Sequence, residues 1–222
     1  ALMEAGLFAY FVERPYAVTA NPDATPKAIF VSAFDKNPLA ANFEYVLNGQ
    51  ENDFQTGLDA LAKIAKTYLN ICVCQKNPAL TGAKNVTVTT FEGPNPAGNV
   101  GVQINHISPI NKGEVVWTLG AEEVIFIGRL FNTGKVDFTR TIALTGSEVK
   151  KPAYCKVKVG AQLTGIFAGN VNNTQPLRYI NGNPLTGTQT CAEGYLAAHA
   201  TSLTVIPEGT DIDSLTTTSV NP

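Results

Sequence analysis

Histidine, cysteine and charged residues are scarce in this sequence. It has two histidines and four cysteines, and Asp, Glu, Lys and Arg make up only 15% of 222 residues. The net charge is -2 and Lys and Arg form no cluster, which excludes the positive patch that nucleic acids and anionic lipids require. No apolar run approaches the roughly 18 residues of a membrane helix. We therefore expect a soluble chain whose weakly charged surface is partly covered by other domains or subunits.

The four cysteines are too few and too scattered for a disulfide framework, which favours a reducing compartment. Cys72 and Cys74 form a C-x-C pair in the apolar run ICVC, whereas Cys155 and Cys191 stand alone. Metal or cluster ligation needs two further ligands at clustered spacing, and the sequence offers none. We predict buried structural thiols and no metal site.

Recognisable catalytic motifs are also missing. His106 and His199 have no Ser or Cys nucleophile motif beside them, although the members of a triad need not be adjacent in sequence. His106 alternates with apolar residues in QINHISPI and is interpreted as a packed or surface residue. Asp23 and Asp35 lie in loops at strand ends, where α/β sheets place ligands, but loop aspartates more often cap turns. We predict no catalytic, cofactor-binding or metal-binding residue.

The glycine-rich stretch GPNPAGNVG, residues 93–101, is the clearest candidate for a phosphate-binding loop. Its glycines match neither G-x-G-x-x-G nor G-x-x-x-x-G-K-[ST], and Asn99 stands where such a loop has lysine. The spacing therefore predicts a rigid turn between the sheet and the surface.

Apolar periodicity predicts alternating strands and helices in the first part of the chain. Trp117, the only tryptophan, falls inside a strand pattern and is predicted to be core. A helix that closes at 132–134 has Glu122 and Glu123 at its favourable N-terminal end. Alternation of this kind implies a mostly parallel sheet with helices packed on it. The predicted strands are 28–34, 70–75, 86–90 and 114–119, and the predicted helices are 53–68 and 121–134.

The pattern changes near residues 134–137, where we predict a protease-accessible joint. Strands are predicted at 139–146, 153–160, 177–182 and 202–206, with a short helix at about 161–167. This is the element order of a β-grasp module. The predicted fold is α/β, with a Rossmann-like domain at 1–136, a β-grasp domain of the soluble-ligand-binding type at 137–209, and a flexible tail at 210–222.

Several segments together resemble the A subunit of the bacterial Na+-translocating NADH:quinone oxidoreductase. In order from Ala1 to about Gly209 they are AGLFAYFVERPY, DATPKAIFVSAFDKNPLAA, ENDFQTGL, GPNPAGNVGVQINHISPI, EVVWTL, EEVIFIGRLFNTGKVDFTR, LTGSEVKKP and RYINGNPLTG. Members of that family are larger, so the resemblance implies the central portion of such a protein. The sequence begins with alanine instead of methionine, and we expect a fragment.

That family is in turn similar to the flavin- and NADH-binding subunits of complex I and of the Rnf complexes, where a GRGGAGFP-type loop embraces FMN. The matching segment here is GLFAYFVERP, in which Phe8, Tyr10 and Phe11 stand where glycines would be. The acidic ADEGEP-like segment of the relatives reads AFDKNP. The resemblance implies a flavoprotein scaffold that has lost its flavin site, with no cofactor in this chain and with FAD, FMN, riboflavin and iron–sulfur centres in other subunits.

The aromatic residues around this segment allow two interpretations. Tyr10, Phe11 and Tyr16 either fill the empty flavin pocket or form a docking surface for other subunits. Packing is the preferred interpretation.

The resemblance further implies a peripheral location at the cytoplasmic face of the bacterial inner membrane, as one subunit of a larger complex. That complex would transfer electrons from NADH to ubiquinone and export Na+, and this chain alone would not be catalytic. The implied partners are the membrane and peripheral subunits of that complex, with ubiquinone as a further candidate and no nucleic acid. Two other classes stay open: a flavin- or nucleotide-binding oxidoreductase subunit of the complex I or Rnf type, and a β-grasp ligand-binding module.

Overall fold

The computed structural model describes residues 1–209, which form two mixed β-sheets with helices packed against the first. The strands of the first sheet are β1 (Val12–Arg14), β2 (Val18–Thr19), β3 (Ile29–Ser32), β4 (Thr67–Cys72), β5 (Thr87–Phe91) and β6 (Val116–Gly120). Across the sheet their order is β2-β1-β6-β3-β4-β5. The four strands from β6 to β5 are parallel, and the β1–β2 hairpin lies antiparallel at one edge.

Helices cover both faces of this sheet. They are the 3-10 helix η1 (Leu7–Tyr10), α1 (Phe43–Leu47), α2 (Glu51–Ala62), α3 (Pro78–Thr81), α4 (Val100–Ile107) and α5 (Ala121–Thr133). Alternate side chains of a strand point to opposite faces. Phe30 and Tyr68 accordingly pack with Ile104 of α4 on one face, while Ile29 and Leu69 join the larger core on the other.

Two glycines let α2 and α5 pack closely on the larger core. A Cβ at Gly128 would lie 1.6 Å from the carbonyl oxygen of Asp53, and one at Gly57 would lie 2.1 Å from that of Val124. Any side chain at either position would force the helices apart. Helix α5 begins at Ala121, directly after β6 ends at Gly120, so its N-terminus lies at the carboxyl edge of the sheet.

The second sheet contains β7 (Thr139–Thr145), β8 (Ala153–Lys158), β9 (Leu177–Asn181), β10 (Thr188–Thr190) and β11 (Ser202–Pro207). Their order is β10-β9-β11-β7-β8, in which β11 and β7 are parallel and the other neighbours antiparallel. The short helix α6 (Thr164–Phe167) contributes Phe167 to a separate apolar core with Ile142 and Leu203. The predicted strands and the short helix of this part are confirmed.

The predicted helix 53–68 is wrong at its end. Helix α2 stops at Ala62, and Tyr68 lies in β4, which pairs in parallel with β3 from Thr67 onward. All six residues of β4 are buried, so pairing in the middle of the sheet outweighs the helical spacing of a few apolar side chains. The strand predicted at 70–75 accordingly begins three residues earlier and ends at Cys72.

Other predictions near the first sheet are confirmed. Trp117 is buried in β6, and the helix that opens after that strand ends where Gly134 adopts a left-handed conformation. Within residues 1–209 no helix is long and apolar enough to cross a membrane. The tail predicted at 210–222 lies outside the described residues.

Candidate functional site

A cavity of about 730 Å³ opens at the carboxyl ends of β3 and β6. From β3 the chain first proceeds outward to β4 and β5, and it then returns to place β6 on the other side of β3. The sheet therefore has its switch point between β3 and β6, which is where open α/β sheets bind ligands. Ser32 and Gly120, the last residues of the two strands, both line the cavity.

The aromatic segment at residues 6–15 borders the cavity but does not fill it. Tyr10 lines the cavity, with its ring centroid 5.3 Å from that of His199. Phe11 is 0% exposed and packs with Phe8 against Trp117. Tyr16 is 76% exposed. Tyr10 and Phe11 are therefore packed residues as preferred, but they pack beside the cavity and the prediction that they fill it is wrong. Only Tyr16 has the exposure that docking needs.

The glycine-rich stretch at 93–101 lies over the cavity and runs directly into α4. Gly98, Asn99 and Gly101 line the cavity, and α4 begins at Val100. The predicted turn is present at residues 95–98 and is partly exposed. Its position in the cavity wall and the helix that follows it were not predicted. The sequence signal for α4 is the spacing of three and four among Val100, Gln103, Ile104 and Ile107, which the alternation in QINHISPI obscured.

A fully buried glutamine fixes this stretch to the sheet. The Nε2 of Gln103 donates to the carbonyl oxygens of Ala97 and Gly98 at 3.2 and 3.3 Å, and to Ser32 Oγ at 3.3 Å. Its Oε1 accepts from Asn70 Nδ2 at 2.9 Å. The cavity wall is therefore held by side-chain contacts to β3 and β4, in addition to the turn itself.

Glu122 and Glu123, in the first turn of α5, are buried against Arg140 of β7 and line the cavity. The Arg140 Nη2 donates to Glu123 Oε1 at 2.6 Å, and its Nε lies 3.0 Å from Glu122 Oε2. Its Nη1 donates to the carbonyl oxygens of Ala198 and Ala200 at 2.8 and 2.9 Å. This ion cluster joins α5 to the second sheet. From the sequence, the two glutamates were predicted only to interact favourably with the helix dipole, and their contact with Arg140 was not predicted.

Burial, together with the negative charge of the nearby Glu123, raises the pKa of Glu122 to about 8. The positive charge of Arg140 lowers the pKa, but not enough to offset these two effects. Burial alone would lower the pKa of Arg140, but the two carboxyl groups raise it overall. At neutral pH the cluster therefore holds one proton on Glu122, and the charge of Arg140 is balanced by Glu123.

We expect the stability of the chain to fall as the pH rises through the titration of Glu122. The folded chain holds this proton more tightly than the unfolded chain, so stability is lost between the unfolded value of 4.5 and the folded value of about 8. Melting temperatures measured between about pH 5.5 and pH 8.5 should fall by several degrees in the parent and much less in Glu122→Gln. A glutamine variant with the parent's slope would contradict this origin.

A surface carboxyl provides the matched control for this measurement. Glu114 pairs with Lys27 at 2.8 Å, and the hydrogen bond from Lys27 lowers its pKa. Its titration therefore lies below the range measured. Glu114→Gln should keep the parent's slope across that range.

The other residues considered from sequence take separate positions. Asp35 lines the cavity, but its Oδ1 also accepts from the backbone N–H of Asn37 at 2.8 Å, as expected of a turn-capping aspartate. Asp23 is exposed in the loop before β3 and does not line the cavity. His106 is exposed on α4, with Nδ1 2.9 Å from the carbonyl oxygen of Val102. Among the described residues, no group of three or more His, Cys, Asp or Glu side chains is arranged to hold a metal ion.

The prediction of buried structural thiols holds for the position of Cys72, which is 3% exposed, but is wrong for the pair as a whole. The structure joins Cys72 and Cys74 as a disulfide, and Cys74 is exposed. Cys155 and Cys191 are free. The error arises because Cys74 lies beyond the end of β4, in a turn that brings its sulfur back towards that of Cys72.

Comparison with known proteins agrees with the resemblance seen in the sequence. A family model described as the NqrA second alpha/beta domain matches residues 1–136, and one described as the NQRA C-terminal domain matches residues 141–192. The A subunit of the Na(+)-translocating NADH-quinone reductase of Glaesserella parasuis serovar 5 is 37% identical over 96% of this chain and 48% of its own length. The protein of the same name from Neisseria meningitidis serogroup B is 37% identical over 94% and 47%. The chain spans about half the length of these curated relatives.

Solved structures show a related fold at low sequence identity. The air-oxidised NAD+-reducing [NiFe]-hydrogenase is 14% identical to this chain, with a TM-score of 0.57 over 93% of this chain and 46% of that one. Its H2-reduced state gives a TM-score of 0.56 over 84% and 41%. At this identity the likeness concerns the fold alone. The family models, which together match most of the chain, decide its membership, and the chain belongs to the NqrA family.

Proposed function

We propose that the chain is a flavin-free part of the NqrA component of a Na+-translocating NADH-quinone reductase, bound peripherally at the cytoplasmic face of the bacterial inner membrane. Two curated relatives from that enzyme are each 37% identical to it over nearly the whole chain. Its role would be to support electron transfer from NADH to ubiquinone, coupled to Na+ export, through contacts with the other subunits. FAD, FMN, riboflavin and iron–sulfur centres would then reside in those subunits.

The absence of a flavin is supported chiefly by the segment at residues 6–15. A flavin phosphate needs several free backbone N–H groups at close approach, which repeated glycines allow. Here the segment forms the helix η1, in which Leu7 is buried, and Phe11 follows it into the core. Among the described residues Arg14 is the one Lys or Arg side chain in the cavity wall, and a lone arginine does not replace several backbone N–H donors.

We expect the purified chain to be colourless and to bind neither FMN nor NADH. Calorimetric titration with either compound up to about 1 mM should give no saturable heat, and neither should raise the melting temperature. The purified protein should show no absorbance near about 450 nm, where oxidised flavin absorbs. Stoichiometric flavin after purification would contradict the proposal and favour the second candidate function.

That second candidate is a flavin- or nucleotide-binding oxidoreductase subunit of the complex I or Rnf type. It is favoured by the cavity itself, whose volume of about 730 Å³ and position at the switch point suit a nucleotide-sized ligand. Ubiquinone is the other ligand to test here, since Phe43, Val46 and Leu119 give the cavity apolar walls. Titration with a short-chain ubiquinone in the same calorimetric assay separates these ligands.

We further propose that the first part is Rossmann-like and the second a β-grasp domain. The parallel strands β5-β4-β3-β6 follow the first four positions, 3-2-1-4, of the Rossmann strand order. The second sheet has β11 parallel to β7, antiparallel outer strands and one short helix. We place the division at 136/137.

This division predicts a preferred site of limited proteolysis. Residues 131–137 are exposed, whereas Arg129 donates to the carbonyl oxygens of Asp137 and Thr139 at 3.2 and 2.6 Å and holds the end of the connection. Trypsin should cut first at Lys135 and release a fragment of about 15 kDa. Lys135→Gln should remove that fragment. Cleavage that begins elsewhere in both proteins would contradict an accessible joint.

Assembly with the other subunits is tested on the natural full-length protein in its own cell. An affinity tag on the protein should retain the membrane subunits of an NADH-quinone reductase after mild detergent extraction. Recovery only from the soluble fraction, without those subunits, would contradict the proposed function and leave the NqrA family membership unchanged.

A further inference from the structure

We propose that Cys72 and Cys74 form a reversible thiol–disulfide exchange site that reacts with low-molecular-weight thiols. Cys72 is the last residue of β4 and is 3% exposed, whereas Cys74 is exposed in the following turn. One sulfur is therefore available to an external thiol, and the other is sheltered at the end of a central strand. This proposal is independent of flavin or quinone binding.

The crosslink contributes little as a structural staple. The stabilising effect of a disulfide grows with the loop that it closes, and this pair is separated by only two positions. A pair this close in sequence constrains the unfolded chain only slightly, so a different role accounts better for its exposure.

Hydrogen bonds hold the same turn without the disulfide. The Cys72 N–H donates to Gln75 Oε1 at 2.8 Å, and Gln75 Nε2 donates to the carbonyl oxygen of Ala33 at 2.9 Å. Glu44 Oε1 accepts from the backbone N–H groups of Lys76 and Asn77, each at 2.7 Å. Reduction of the pair should therefore leave the turn folded, as reversible exchange requires.

The geometry also assigns the two sulfurs different roles. An external thiolate attacks the exposed Cys74 Sγ, the bond between the two sulfurs breaks, and Cys72 leaves as a thiolate. The backbone N–H of Cys74 lies 3.3 Å from Cys72 Sγ and can donate to that thiolate. A second external thiol then attacks the mixed disulfide and releases Cys74, so two external thiols become one disulfide while the pair gains two electrons and two protons.

A redox titration tests the proposal directly. The chain is equilibrated in buffers with varied ratios of reduced to oxidised glutathione, quenched with acid, alkylated and analysed by mass spectrometry. Peptide mapping separates glutathione adducts on the free Cys155 and Cys191 from the C-x-C pair, in which the number of alkylated cysteines should shift reversibly from zero to two as the buffer becomes more reducing. Two outcomes would overturn the proposal: a pair that stays unalkylated until the protein unfolds, and a pair that stays fully alkylated in excess oxidised glutathione.

Substitutions identify the sulfur that reacts with glutathione. Cys191→Ser removes the other exposed thiol and should leave the transition of the C-x-C pair unchanged. Adding Cys72→Ser to that variant should trap glutathione on Cys74 as a stable mixed disulfide, because the resolving thiol is gone. Failure to form this adduct would overturn the proposed exchange.

Thermal melting separates an exchange site from a structural crosslink. The oxidised and reduced forms of the Cys191→Ser variant should melt within about two degrees of each other, because the turn is held by hydrogen bonds in both. A large loss of melting temperature on reduction would show that the crosslink is structural and would overturn the proposal.

Discussion

Replacing Arg140 with alanine is expected to lower the free energy of unfolding by about 3–5 kcal/mol. The guanidinium group is fully buried and contacts Glu122 and Glu123 as well as the carbonyl oxygens of Ala198 and Ala200. Its removal leaves a buried carboxylate and two carbonyl groups without a hydrogen-bond donor. Leaving these groups unpaired destabilises the fold by more than the ion pair itself stabilises it. Urea unfolding followed by circular dichroism measures the loss.

Arg178 provides the matched control because it pairs with Glu208 near the surface. Water replaces a surface partner at little cost, so Arg178→Ala should change the stability only slightly. Equal losses in the two variants would show that the buried ion cluster contributes no more to stability than a surface ion pair. Adding Glu123→Gln to Arg140→Ala should recover part of the loss, because it removes the carboxylate left unpaired.

Replacing Phe11 with alanine is expected to destabilise the chain by about 3–5 kcal/mol. The ring is fully buried, stacks on Phe8 with centroids 5.1 Å apart and meets the Trp117 ring edge-on at 5.7 Å. Alanine would leave a cavity beside the first sheet that these rigid neighbours cannot close. Equilibrium unfolding measures the loss, and Phe11→Leu should recover about half of it.

Tyr16 is the control that separates packing from docking. Its exposed side chain contributes little to the core, so Tyr16→Ala should leave the stability of the isolated chain nearly unchanged. If Tyr16 docks on another subunit, the same variant loses assembly in membranes at full stability. A Phe11→Ala chain with parental stability and lost assembly would contradict the packing interpretation.

Local patterns in the sequence determined most elements of the fold. Strands β3 and β6 are short apolar runs between turn signals, a pattern typical of buried strands, and most of their residues are buried. The end of α5 is likewise local, since Gly134 adopts the left-handed conformation there and its N–H caps the carbonyl oxygen of Leu130 at 2.8 Å. The family resemblance also came from the sequence, because it depends on many segments in order.

Long-range contacts decided what local patterns left ambiguous. The residues after Ala62 continue a helical spacing, and only the pairing of β4 with β3 turns them into a strand. The apolar residues of α4 alternate and also recur at helical spacing, and packing of Ile104 on Phe30 and Tyr68 selects the helix. Backbone hydrogen bonds to a neighbouring strand and burial against a sheet carry more free energy than the propensity of a few residues.

The candidate site depended almost wholly on the tertiary structure. The cavity arises where β3 and β6, far apart in sequence, end side by side at the switch point of the sheet. Arg140 lies 17 residues from Glu123 and 60 from Ala200, and no short motif contains all three. The sequence set the charges of these groups, but their burial raises the pKa of Glu122, and burial depends on which elements the fold brings together.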